Sequence, residues 1–228
     1  MARLLVHVEG ETEETFVNKV LEPHLRGHGF TDVGARLLGK ARLRNRGGGI
    51  RAWPSVRPDI ILHLTEDAGC FSTTMVDYYG LPHVGPGAWP GRLAAAALGF
   101  PGKAATVENA LMDDIRKEPG DVADRFIPFV MMHEFEALLF SDCNSFGSGI
   151  GRPDLAPQFQ AIRDQFGTPE EIDDSPVTAP SKRVQTLVPG YQKPHLGNLA
   201  AQEIGLEVMR GQCPHFGDWL TRLEGLAR

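Results

Sequence analysis

The reading of this chain turns on Arg3–Leu21, "RLLVHVEGETEETFVNKVL". Its first part, Leu4–Val8, is short, continuous and β-rich, and reads as a buried strand. Gly10 breaks that pattern. From Glu11 onward Phe16, Val17, Val20, Leu21 and Leu25 recur at helical spacing. Thr12, followed by Glu13 and Glu14, gives an acidic first turn suited to the positive end of a helix dipole. The chain therefore opens as strand, glycine turn and helix, with Glu9, Glu11, Glu13 and Glu14 crowded just behind the strand.

The alternation continues downstream. A second strand is expected near Ala35–Arg46, where Lys40, Arg42, Arg44 and Arg46 fall on alternate positions and share one face. A helix over Val56–Asp67 follows, despite Pro58. "CFSTTMVDYYG" (70–80) reads as a strand that ends at Asp77. "GPGAWPGRL" (85–93) is loop-like, Val107–Lys117 is helical, and "RFIPFVMM" (125–132) is another buried strand running into a short helix at "HEFEALLF" (133–140). Strands alternating with helices predict an α/β domain with a mostly parallel, Rossmann-like sheet over residues 1–145. Residues 146–228 first turn Gly-, Pro- and polar-rich and then helical, over Leu199–Met209 and Pro214–Leu226. They are expected to form a helical extension packed on the sheet.

Composition narrows the function classes. The 228 residues are enough for a sizeable core, and 42% of them are hydrophobic, with no run of about 20 apolar residues for a membrane helix. The N-terminus lacks a signal-peptide pattern. Three scattered cysteines, Cys70, Cys143 and Cys213, argue against a disulfide framework and for a reducing cytoplasm. The absence of a Cys-x-x-Cys pair argues against a structural zinc site. No phosphate-binding glycine loop marks an ATPase or dinucleotide enzyme. A net charge of −6 speaks against general affinity for polyanions, yet Val33–Pro58 carries seven cations and no acid. That segment either holds a phosphate backbone or forms a basic, solvated edge that discourages aggregation.

Ligands of open α/β sheets bind at the carboxyl ends of the strands. Three predicted strands deliver acids to that edge: Glu9, with Glu13 near the start of the next helix, then Asp77, then Glu134 and Glu136. Converging carboxylates repel one another unless something positive sits among them. Mg²⁺ or Mn²⁺, which prefer oxygen ligands, would serve. Each acid also has an ordinary structural reading, as a helix-start charge, a turn cap or a surface residue. Their shared placement favours a site.

The segments "VEGETEETFV" (8–17), "TTMVDYYGLP" (73–82) and "MMHEFEALLFSD" (131–142), with "APSKRVQTLVPGYQKPHLGN" (179–198) and "CPHFGDWLTRLE" (213–224), resemble Toprim-type domains of unknown function associated with phage-defence ATPases. The Toprim nuclease subunit of the PARIS defence system is similar. The resemblance implies a Toprim-like fold and divalent-metal-dependent cleavage of RNA or DNA. It assigns Glu9 as general base or metal-associated group and Asp77 as the first acid of the usual Asp-x-Asp, whose second place is taken here by Tyr79. Glu134 or Glu136 would supply the missing metal ligand.

The same resemblance makes Lys182, Arg183 and Lys193 candidates for holding the scissile phosphate, beside Lys40, Arg42, Arg44 and Arg46 for the nucleic-acid backbone. It implies nucleic acid as substrate and an ABC- or SMC-like ATPase as partner; composition predicts no membrane, and a homodimer is one assembly open to the chain. Two alternatives stand beside the nuclease: a non-catalytic Toprim-derived nucleic-acid or protein binding module, and a metal-dependent nucleotide phosphohydrolase.

Overall fold

The computed structural model describes residues 1–38, 50–172 and 178–227. The chain forms β1 (Arg3–Val8), α1 (Glu11–Phe16), a π-helical turn (Val17–Leu21), α2 (Glu22–Gly27), β2 (Asp32–Leu37), α3 (Trp53–Glu66), β3 (Cys70–Asp77), α4 (Gly102–Ile115), β4 (Phe126–Ile127) and β5 (Val130–Met131). A 3₁₀ segment (Phe135–Ser141) leads to α5 (Cys143–Gly149), α6 (Ala156–Arg163), α7 (Pro180–Leu187), a second π segment (Lys193–Gly197), α8 (Asn198–Ile204), α9 (Leu206–Gln212) and α10 (Pro214–Gly225).

The sheet has the order β2-β1-β3-β4, and β5 also pairs with β3. All pairings are parallel. This is the α/β, Rossmann-like arrangement with helices on both faces that the alternation predicts. The second strand begins earlier than expected, at Asp32 rather than Ala35, because its register is set by pairing Arg3–Val8 with Asp32–Leu37. Lys40, Arg42, Arg44 and Arg46 lie outside the described residues.

β1 alternates as its sequence requires. Leu4, Val6 and Val8 enter one core with Phe16, Leu21, Met75, Phe216, Trp219 and Leu223. On the opposite face Trp53, Ile60, Val76, Trp89, Leu111 and Phe126 form a second core. β3 is covered on both sides, so Ser72–Val76 are all buried. Pro128 has no N–H to give and divides the fourth strand into β4 and β5. The Thr74 hydroxyl bridges the break, donating to Phe129 O and accepting from Phe129 N–H, both at 2.9 Å. One residue earlier, the Thr73 hydroxyl accepts the Trp219 indole N–H at 2.9 Å, which ties α10 to the central strand.

The later helices meet at close range. A Cβ on Gly149 of α5 would lie 2.6 Å from Ala200 Cα of α8, so a side chain there would force the two backbones apart. Where one helix was expected over Leu199–Met209, Gly205 (φ 79°) separates α8 from α9. The three cysteines are buried, and burial pushes all three thiols up, as befits packing residues rather than nucleophiles. His7 is fully buried on the second face of β1, 5.9 Å from His63 between ring centroids. His133 is also buried, with Nδ1 2.8 Å from Ile172 O, which fits a structural role.

Candidate carboxylate site at the sheet's switch point

β1 leads to β2 on one side of it and the chain then crosses to β3 on the other, so the carboxyl ends of β1 and β3 flank a topological switch point. Val8 pairs with Met75, and Asp77 pairs with Met131. The residues just beyond, Glu9, Asp77 and Glu134, therefore leave the sheet along one edge. Asp77 is the last residue of β3. Glu134 precedes the 3₁₀ segment, and Glu136 lies within it, 1% exposed.

The helix start adds a fifth acid. Gly10 is the N-cap of α1, and the Glu13 carboxylate reaches back to accept the Gly10 N–H at 3.0 Å, as the third helical residue of a capping box does. That bond turns Glu13 inward, where it is 6% exposed, while Glu11 stays exposed and Glu14 half-buried. Among three adjacent glutamates the distance of three residues from Gly10 was the available signal, and it separates Glu13 from the solvated pair.

The cation among these acids is Lys193, at the start of the second π segment. Its Nζ donates to Glu136 Oε2 at 3.1 Å and lies 3.9 Å from Glu134 Oε2. Glu134 Oε2 also accepts the Ser181 N–H of α7 at 2.9 Å. Lys193, expected to hold phosphate, is placed by these contacts among the carboxylates. Lys182 and Arg183 are not drawn in by their contacts. Lys182 is exposed and bonds Gln185 one turn along its own helix at 3.3 Å, because Pro180, Ser181 and Val184 take the buried face of α7. Arg183 donates to Thr178 O at 2.7 Å and sits over the Phe166 ring.

The electrostatics show how close the charges stand. Burial pushes the Glu9 carboxyl up, opposed by the Asp77 backbone N–H and by Lys193, with Glu134 pushing it further up. Burial raises Glu13 to about 7, helped by Glu9. Asp77 is driven well above the carboxylate range by burial and then by Glu13, Glu9 and Glu134. Glu136 rises to about 7 through burial, with Lys193 opposing and Glu134 adding to it. Burial would lower the pKa of Lys193, but Glu136, Glu134 and Asp77 outweigh it and keep the ammonium charged. Five carboxylates thus share one cation among the described residues.

These acids destabilise the fold at neutral pH, which gives a test. The folded pKa of Glu13 lies above its unfolded value, so its contribution to stability is full below about 4.3 and is lost as pH rises through about 7. Glu13→Gln removes that loss and is expected to stabilise the protein by up to about 3 kcal/mol at pH 8, and by little near pH 4. Urea denaturation at the two pH values measures it; a variant less stable at pH 8 would show that the Gly10 cap outweighs the repulsion.

The donors suit a hard cation. Glu9 Oε2, Asp77 Oδ1 and Glu136 Oε1 are buried oxygens without a hydrogen-bond partner. A Cβ on Gly80 would lie 2.6 Å from Glu9 Oε2, so the glycine lets the turn after β3 close on that carboxylate. Oxygen-only donors fit Mg²⁺ or Mn²⁺. Three ligating atoms come within 4.8 Å of one another among the described residues not here but at His24, His28 and Glu224. The strand-end carboxylates stand further apart, spread around Lys193.

Comparison with known proteins adds a family. A stretch of 80 residues is 30% identical to the serine/threonine-protein kinase LMTK1 of Homo sapiens, covering 34% of this chain and only 6% of the length of that protein. No solved structure matches the chain. The profile of the domain of unknown function DUF4276 matches residues 8–224, from the end of β1 into α10 and across every acid of the site, and the chain belongs to that family.

Proposed function

We propose that the protein is a divalent-metal-dependent endonuclease that hydrolyses phosphodiester bonds in RNA or DNA. The observation that carries this reading is the convergence of Glu9, Glu13, Asp77, Glu134 and Glu136 at the switch point, with three buried carboxylate oxygens lacking a partner. Glu9, Asp77, Glu134 and Glu136 would hold Mg²⁺ or Mn²⁺, which when bound polarises a phosphate oxygen. Glu13, with a pKa near 7, is poised to accept a proton from an attacking water at neutral pH, and Glu9 shares that role. Lys193 offsets the negative charge of these acids and would pair with an incoming phosphate beside them.

The resemblance to Toprim-type proteins of phage-defence loci supports a role as the effector of a prokaryotic anti-phage system in the cytoplasm, restrained by an ABC- or SMC-like ATPase and assembled as a homodimer. No helix among the described residues is long and apolar enough to cross a membrane. One observation favours a second reading. Tyr79 stands in the second place of the Asp-x-Asp pattern and Lys193 already neutralises Glu136, an arrangement that suits a binding module without turnover.

Labelled RNA and DNA incubated with Mg²⁺ or Mn²⁺ separate the two. Metal-stimulated cleavage that falls by ~10²-fold or more in Glu9→Ala is the expected result. Polymer binding without cleavage, in the presence or absence of the ATPase, would establish the binding module. Hydrolysis of free nucleotides alone would replace the endonuclease by a phosphohydrolase.

A further inference from the structure

We propose that His24, His28 and Glu224 form a transition-metal site, suited to Zn²⁺, that joins α2 to α10 at the sheet edge opposite the strand-end carboxylates. His24 and His28 are four residues apart around the end of α2, which places both imidazoles on one helix face. Their ring centroids lie 4.7 Å apart. Glu224 comes from the last turn of α10, 200 residues away, and His24 Nε2 is 2.7 Å from its Oε1. His28 Nε2 is 3.8 Å from the same oxygen. One ligating atom from each residue falls within a single 4.8 Å group.

The donor chemistry selects the ion. Two imidazole nitrogens and one carboxylate oxygen form a mixed set that zinc binds with a fourth position left to water or substrate, whereas Mg²⁺ and Ca²⁺ prefer oxygen throughout. Glu224 is buried at 8% exposure, so its carboxylate faces the two imidazoles inside the fold. Arg210 of α9 donates to that same Oε1, which leaves Glu224 Oε2 as the oxygen open to an ion. Cysteine is not required, so the lack of a Cys-x-x-Cys pair does not weigh against the site.

Its location separates it from the carboxylate cluster. α2 ends just before Thr31, whose N–H bonds Ala2 O at 2.9 Å beside the amino end of β1. Glu9 and Asp77 stand at the carboxyl ends of the strands. The inference does not rest on the proposed nuclease activity.

The test strips the protein with a chelator and titrates it with Zn²⁺ by calorimetry and with Co²⁺ by visible absorption. One equivalent is expected to bind even in Asp77→Asn, which disables the other cluster, with a zinc-dependent rise in melting temperature. His24→Ala and His28→Ala should each weaken zinc at least ~10-fold and abolish that rise. The His28 side chain is 33% exposed, so its removal leaves the fold in place. Asp77→Asn should keep the zinc equivalent that His24→Ala and His28→Ala lose. Absence of saturable binding, unchanged affinity in His28→Ala, or loss in Asp77→Asn would each overturn the proposal and leave a His–Glu–Arg ion-pair network.

Discussion

Asparagine in place of Asp77 is expected to lower metal-dependent cleavage by ~10³-fold or more and, at the same time, to raise the melting temperature at neutral pH. Both effects follow from one carboxylate. Asp77 ends β3 beside Glu9 and Glu13, and Glu134 acts on it too, so burial and three acids all oppose its charge. Burial sets its folded pKa well above the unfolded value near 3.9, and the neighbouring acids add to that. The stability it contributes is therefore complete below that unfolded value and is lost as pH rises through the folded pKa. Asn carries no charge to lose, so the advantage of the variant should grow with pH across a melting series from pH 4 to 8. Mn²⁺ is expected to stabilise the wild type by binding the acids, and the variant far less. Wild-type cleavage by Asp77→Asn, or a lower melting point at pH 8, would remove Asp77 from the site.

The second large effect concerns His7 and runs the other way with pH. Burial lowers its pKa to about 3, His63, Arg36 and Arg51 act in the same sense, and Asp59 opposes them. Both ring nitrogens are buried without a hydrogen-bond partner. A histidine whose folded pKa is depressed contributes stability that is present above about 6.5 and lost as pH falls toward about 3. Over the whole window that amounts to about 4–5 kcal/mol, of which about 3 is lost by pH 4. His7→Leu should therefore show little change at pH 7.5 and a gain of about 3 kcal/mol over the wild type at pH 4. Comparing the two proteins cancels the opposite titration of Glu13 and Glu136. Parallel stability curves from pH 4 to 7.5 would mean that His7 accepts its proton in the folded state.

What the sequence displays and what it hides divide on physical lines. β1 and β3 are legible because both are apolar, β-rich runs ended by an acid, and the rule that ligands gather at strand ends then places Glu9 and Asp77 on one edge. Lys193 is legible as a cation but not as the partner of Glu136. That pairing depends on where a π-helical turn more than fifty residues downstream settles, and no local period records it. The second strand is misplaced for a related reason. The alternating cations at positions 40–46 lie outside the described residues, and parallel pairing with β1 begins the strand at Asp32, three residues before its expected start. The zinc ligands His24, His28 and Glu224 are an intermediate case: the four-residue spacing of the histidines is visible, and the glutamate that completes them is supplied by the fold.

The Trp219–Thr73 bond and the mixed core beneath it have a consequence for synthesis. The ribosome delivers Glu9 first and Lys193 much later, on the order of 10–40 s afterwards at ordinary elongation rates. Until then the acids have no counter-charge, and the inner surface of β1 has nothing from α10 to cover it. A nascent or prematurely ended chain thus presents a bare, self-repelling cleft and a sticky sheet, both suited to chaperone capture or degradation. On the proposed nuclease reading, cleavage would also wait until Lys193 and α10 have been made.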